Sequence, residues 1–282
     1  MFSLVLAILC SAALSLIMKA VSSEHRNRYG VLLGNYLTCV CLALLTMHDR
    51  SVLLHLSPVT IGLGLAGGVL FLAGLVMMQS SVAVNGATFT AAFSKLGMIL
   101  SITISILFFH ELPGLFQLLG IVLVLPSIFL INHIDPSAER APLQINLLLL
   151  TLVSNGLADS MAKFFSWFGD PLQETAYLCI LFLTAAVLTA ILAFRETTKT
   201  GRSVSITDFT AGLAVGIPNY FSSLFLLHAL QELPAVFVYP CFSGGTILVV
   251  MTASYFLFHE RMDRMQKAGL SLILAALILL NL

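Results

Sequence analysis

Apolar stretches of about 20 residues recur along this chain, each closed by a few polar or charged positions. Membrane-crossing helices need this spacing, because a hydrocarbon core of roughly 30 Å takes about 20 residues at about 1.5 Å each. Reading the apolar runs against their polar punctuation predicts ten helices, near 2–21, 29–47, 58–80, 86–109, 114–132, 143–166, 173–194, 206–230, 234–258 and 263–281. The connections are short except for 132–144, with Asp135-Pro136, Glu139-Arg140 and Ala141-Pro142, and 195–205, which is polar and basic. The first of these lies at mid-chain. It reads as a linker, 133–142, between a first five-helix unit at 1–132 and a second at 143–282.

Internal repetition supports the division. Phe109-His110-Glu111, Gln117 and Gly120 are echoed by Phe258-His259-Glu260, Gln266 and Gly269 at a constant offset of 149. Gly62-Leu63 and Phe71 pair with Gly212-Leu213 and Phe221 at an offset of 150, and Ser15 and Lys19 with Asp159 and Lys163 at 144. Five spans per copy is an odd number, so a second copy enters the membrane upside down relative to the first. Inverted repeats of this kind are a recurrent plan of secondary transporters, with the substrate near the midplane between the copies. The fold class expected is therefore all-α integral membrane, ten helices as two inverted five-helix repeats around a central cavity.

Composition agrees with the pattern. Of 282 residues, 59% are hydrophobic and only 9% charged, with a mean hydropathy of +1.03, whereas soluble domains carry about 25% charged residues. So few charges cannot clothe a water-soluble fold, and no basic face exists for a nucleic acid. The five cysteines (Cys10, Cys39, Cys41, Cys179, Cys241) sit in apolar runs without metal or CxxC spacing and read as small core residues. The run 2–21 lacks a basic leader and a small-residue cleavage site, and Leu9 before Cys10 argues against lipidation, so it is expected to remain as the first span.

Charge decides orientation rather than partners. Lys19, Arg26, Arg28, Arg140, Arg195, Lys199, Arg202, Arg261, Arg264 and Lys267 follow spans one, five, seven and nine, against Arg50 and Lys163 on the opposite side. Cytoplasmic loops carry the excess of Lys and Arg. Both termini are therefore expected on the non-cytoplasmic side of a cell membrane.

Ionisable groups at membrane depth cost at least about 2.5–3.5 kcal/mol on insertion scales and call for a reason. Lys95 stands ten residues into span four, too deep to snorkel easily; it either binds an anionic group, takes part in ion coupling, or forms a buried structural pair. Asn155, Asp159 and Lys163 follow one another at i, i+4 steps and stack on one face of span six, beside Ser154 and Ser160. Asp159 is a candidate protonatable coupling site, the alternative being a local pair with Lys163. Asn35 in span two, Asn219 and Tyr220 in span eight, and Tyr239 and Ser243 in span nine offer neutral hydrogen-bonding groups to a solute or to neighbouring helices. Lys19 closes span one. His228, near the end of span eight, is expected to serve a loop carbonyl or water. Pro218 and Pro240 free backbone carbonyls where a cavity could use them. The glycines 62, 64, 67, 68 and 74 of span three, and Gly244-Gly245 of span nine, favour close helix packing. His110-Glu111 and His259-Glu260 lack the second histidine of a zinc site and are expected to cap turns.

No phosphate-binding GxxxxGK[ST] loop is present, which argues against ATP-driven pumping by this chain, and no GxSxG or HExxH motif points to an enzyme or a cofactor. The duplicated Phe-His-Glu, Gln and Gly within ten spans resembles the EamA-like branch of the drug/metabolite transporter superfamily, over essentially the whole chain. The resemblance implies a cavity built from spans 1, 3, 4, 6, 8 and 9, braced by spans 5 and 10, with Lys95, Asp159, Lys163, Asn219 and Tyr239 on cavity helices. It also implies transport of small solutes by alternating access. Many relatives carry a proline where this chain has Met98 and Ile247, and those best known favour cytoplasmic termini. The function expected is secondary transport of a small polar or anionic metabolite, proton-coupled through Asp159, with solute and membrane lipids as partners. The alternatives are a flippase for lipid-linked intermediates and a non-transporting membrane scaffold.

Overall fold

The computed structural model describes residues 1–21, 27–131, 143–200, 205–257 and 263–282. The predicted linker 133–142, the second Phe258-His259-Glu260, and Arg26, Arg140, Arg202 and Arg261 lie outside the described residues. Within them the chain forms ten α-helices: α1 Phe2–Val21, α2 Arg28–Thr46, α3 Pro58–Asn85, α4 Ala87–Phe109, α5 Leu115–Ile131, α6 Ile145–Phe168, α7 Glu174–Thr200, α8 Ile206–Glu232, α9 Ala235–Leu257 and α10 Arg264–Leu280. Short 3-10 turns at Arg50–Leu54 and Pro171–Gln173 precede α3 and α7. Eight of the helices are long and apolar enough to cross a membrane. The other two, α5 and α10, have 17 residues each, about 26 Å of helix.

Two boundaries depart from the sequence reading. α3 continues five residues past the expected end and stops at Asn85, leaving Gly86 alone before α4 with a φ of +81°. That left-handed backbone is open to glycine at no steric cost, so one residue suffices to turn the chain. α7 runs through the polar segment expected as a loop, to Thr200, with Thr197 Oγ1 donating to the Ala193 carbonyl at 2.9 Å. Hydropathy marks where a helix leaves lipid, and the backbone ladder continues until something breaks it.

The helices group into two compact units, Met1–Leu72 with Met161–Glu232, and Ala73–Ser160 with Leu233–Leu282. Each therefore draws on both sequence halves. In the first unit α8 packs on α1 and α2, and α2 also packs on α7. Without a hydrophobic drive between helices in lipid, close van der Waals approach must hold them, and small residues permit it. A Cβ on Gly212 of α8 would lie 2.2 Å from the Val31 carbonyl oxygen of α2, and one on Gly68 of α3 would lie 2.5 Å from the Leu181 carbonyl oxygen of α7. Of the other expected small-residue contacts of span three, Gly64 and Gly67 also meet α7, while Gly62 faces nothing within 4 Å. Tyr36, Phe71, Phe182 and Tyr220 fill the space between these helices, with neighbouring ring centroids 5.9 to 6.5 Å apart.

In the second unit α10 packs on α5 and α9, and α9 on α4. The contact between α5 and α10 is reciprocal. A Cβ on Gly120 would meet Leu280 and the Ala276 carbonyl, and one on Gly269 would meet Ile131 and the Ser127 carbonyl. Adding 149 to 120, 127 and 131 gives 269, 276 and 280, so each contact is the other's counterpart under the sequence repeat.

Candidate functional site

The second unit contains two of the expected charged groups, Lys95 and Asp159, on two helices that nearly touch. At the crossing of α4 and α6, a Cβ on Gly156 would lie 2.5 Å from the Gly97 carbonyl oxygen, and one on Gly97 2.9 Å from the Gly156 nitrogen. Ser101 Oγ of α4 donates to the Gly156 carbonyl at 2.9 Å, which fixes the crossing by a hydrogen bond as well as by contact. Lys95 stands two residues before Gly97, and Asp159 three after Gly156. Both side chains are half-buried, and their charges interact. Each offsets the other's desolvation in a place where a lone charge is costly.

Neutral groups surround this pair. Tyr239 Oη of α9 donates to the Asp159 backbone carbonyl at 2.8 Å, so the phenol holds the α6 backbone and leaves the Asp159 carboxylate for other contacts. Ser243, one turn further along α9, is buried. Asn155 donates through Nδ2 to the Thr151 carbonyl at 2.8 Å, and its Oδ1 lies 3.3 Å from where Gly74 of α3 would carry a Cβ. Lys95, Asn155, Asp159, Tyr239 and Ser243 thus belong to one unit and three of its helices.

The remaining expected residues belong to the first unit, where Asn219 and Tyr220 bind helices to each other. Asn219 Nδ2 of α8 donates to Asn35 Oδ1 of α2 at 3.1 Å, both residues being buried. Tyr220 Oη hydrogen-bonds Thr46 Oγ1 at the end of α2. Cys39 Sγ approaches the Gly216 carbonyl at 3.4 Å. Lys163 is buried with its ammonium 5.5 Å from the Trp167 ring centroid, a cation–π arrangement one turn along α6. His228 differs from expectation: its Nε2 meets Glu174 Oε1 of α7 at 2.8 Å, and Gln231 donates to the other oxygen at 3.3 Å. A carboxylate 54 residues away in sequence gives no local signal, so only packing could reveal this partner.

At its described glutamine, glycine and first His-Glu positions, the duplicated motif acquires a physical meaning. Gln117 Oε1 accepts from Gly114 N at 3.0 Å, and Gln266 Oε1 accepts from Asp263 N at 3.2 Å, so the repeated glutamine reaches back to cap α5 and α10. The repeated glycine gives the reciprocal contact described above. His110 ends α4 in a left-handed conformation with a φ of +56°, and Glu111 Oε2 accepts from Ser105 Oγ at 2.8 Å and from Ala235 N at 2.7 Å. The expected turn cap therefore serves the start of α9 as well as the end of α4.

The sequence reading missed a cavity of about 390 Å³ in the first unit, where α2 ends and α7 begins, lined among others by Thr46, His48, Asp49, Glu174 and Thr175. Hydrogen bonds from the Ser51 hydroxyl and backbone N–H hold the exposed Asp49 carboxyl below its ordinary range. No residue predicted for solute binding lines this cavity. Among the described residues no cluster of His, Cys, Asp or Glu has the arrangement of a metal site.

Comparison with known proteins places this geometry. An uncharacterized protein of Haemophilus influenzae is 24% identical over 293 aligned positions, covering 99% of this chain and 97% of the relative. A solved crystal structure shares the fold at a TM-score of 0.77 with 12% identity, covering 99% of this chain and 94% of that one. Residues 143–282 match the model of the EamA-like transporter family. The apolar helices and this match agree: the chain is an integral membrane protein whose second half matches the EamA-like transporter family.

Proposed function

We propose that the protein is a secondary transporter that moves a small polar or anionic metabolite by alternating access, with Lys95 binding the solute's negative group and Asp159 acting as the proton-coupling carboxylate. The observation that carries this reading is the close crossing of α4 and α6 at Gly97 and Gly156, which brings an ammonium and a carboxylate near enough for their charges to interact within membrane-spanning helices. A pair of opposite charges can exchange partners without leaving either bare: an incoming anion takes Lys95, and a proton takes Asp159. Asn155 and Ser243 supply the neutral hydrogen bonds that would orient a polar solute. The two sequence halves serve as inverted five-helix repeats in this reading. Support comes from the reciprocal Gly120 and Gly269 contacts, from the equivalent caps of Gln117 and Gln266, and from a family match that begins at residue 143.

Thermal melting of the purified protein against a panel of amino acids, sugar phosphates and carboxylates tests the proposal. A ligand bound only by the folded state stabilises it by about 2.7 kcal/mol at a hundredfold excess over its Kd. At least one anionic solute is expected to raise the melting temperature of the wild type and not of Lys95→Met, while Asp159→Asn removes the pH dependence of that shift. Equal stabilisation of wild type and Lys95→Met overturns the role of Lys95. A shift with lipid headgroups alone replaces the metabolite by a lipid-linked substrate.

A further inference from the structure

The start of α9 is held from two directions and weakened in between. Its first residue, Ala235, has an N–H that no residue of the helix itself can accept, as at every helix start. The Glu111 carboxylate takes this N–H at 2.7 Å and is fixed in turn by Ser105 Oγ at 2.8 Å. One turn on, on the same face, Tyr239 Oη donates to the Asp159 carbonyl at 2.8 Å. Directly after it comes Pro240, inside the helix. Proline has no N–H, so the Val236 carbonyl loses its partner in the helical ladder, and the turn before it is loosened from the rest of α9.

We infer that Glu111 is a positioning residue for the proposed solute site: it pins the first turn of α9, residues 235–239, and through that turn keeps Tyr239 against the α6 backbone at Asp159. The inference rests on the transport reading for its purpose and on geometry alone for the pinning. A turn loosened at Pro240 swings unless its free end is tied. The tie is a charged acceptor at the positive end of a helix, where such a bond is strongest. Release of Glu111 would free Tyr239 to leave Asp159 and open the α9 side of the site. Pro240 is the hinge, and the segment after it packs on α10, where a Cβ on Gly244 would meet Ile273 and Leu277.

The test is a thiol reporter in the full-length chain. Val238 lies in the pinned turn and is fully buried, and the native Cys241 lies just beyond Pro240 and is also buried. In a Val238→Cys chain, alkylation by N-ethylmaleimide is followed at positions 238 and 241 separately by tandem mass spectrometry. Adding Glu111→Ala is expected to speed labelling at 238 by about tenfold, the factor for losing a helix-start cap, and to leave 241 protected. Glu111→Gln keeps an acceptor oxygen and is expected to restore part of the protection; Tyr239→Phe loosens 238 with Glu111 intact. Unchanged labelling at 238 in Glu111→Ala, or labelling that rises equally at 238 and 241, overturns the inference, the second outcome marking general loosening. Failure of the solute reading would appear instead as a metabolite panel without Lys95-dependent stabilisation, and it leaves the labelling result standing.

Discussion

Gly97 and Gly156 show how much a single missing side chain decides. Each sits where the other's backbone occupies the space a methyl would need, and backbone cannot step aside as a flexible side chain can. Gly156→Val is therefore expected to part α4 from α6, to lower stability by about 1–3 kcal/mol as overpacking does, and to abolish Lys95-dependent stabilisation by solute. Gly62→Ala is the contrast: nothing lies within 4 Å of its added methyl, and removing a helical glycine gains about 0.5–1 kcal/mol. Thermal melting of the two variants side by side checks both signs. The sequence drew attention to the glycine-rich third span, where Gly62 proves idle, and passed over Gly97 and Gly156. A glycine's role in packing is set by which helix faces it, and one glycine per helix carries no trace of its partner. Lys95 and Asp159 were legible for the opposite reason, because a charge in an apolar run is costly whatever its neighbours are.

Helices were the most legible level of this molecule, since apolar runs of membrane length admit little else once backbone polar groups must be satisfied internally. What the runs do not encode is pairing. The seam between α2 and α8 joins Gly34, Thr38 and Asn35 to Gly212, Gly216 and Asn219, and the buried Asn219 amide donates to Asn35 across it at 3.1 Å. Hydrogen bonds between helices in membranes are worth about 0.6 kcal/mol on average, because the separated helices find other partners. A double-mutant cycle of Asn35→Leu and Asn219→Leu, read by unfolding in detergent, is accordingly expected to give a coupling of about 0.6 kcal/mol. Zero coupling would mean that the small residues alone hold the seam.

At the level of the whole chain, repetition and charge bias carry the reading. The duplicated motif was visible because its spacing survives in sequence, yet the use of Glu111 was not, since the N–H it accepts from lies 124 residues downstream. The glutamine was easier, acting on a backbone group three residues away. Orientation is a separate matter from fold, because lysines and arginines in short loops bias insertion while the helices form either way round. The basic residues follow odd-numbered helices, so both termini are expected outside the cell and the mid-chain segment inside. Ten crossings would put the two ends on one side, and five per half would set the middle opposite them. A reporter fluorescent only in the cytoplasm and an enzyme active only outside, each fused after Leu282 and each inserted in 133–142, separate the possibilities. Activity outside at the end with fluorescence in the middle supports the charge argument and the inversion of the halves together. Fluorescence at the end with external activity in the middle reverses the orientation but keeps the inversion. The same reporter responding at both places would mean an even number of crossings in the second half, and with it the inverted repeat fails.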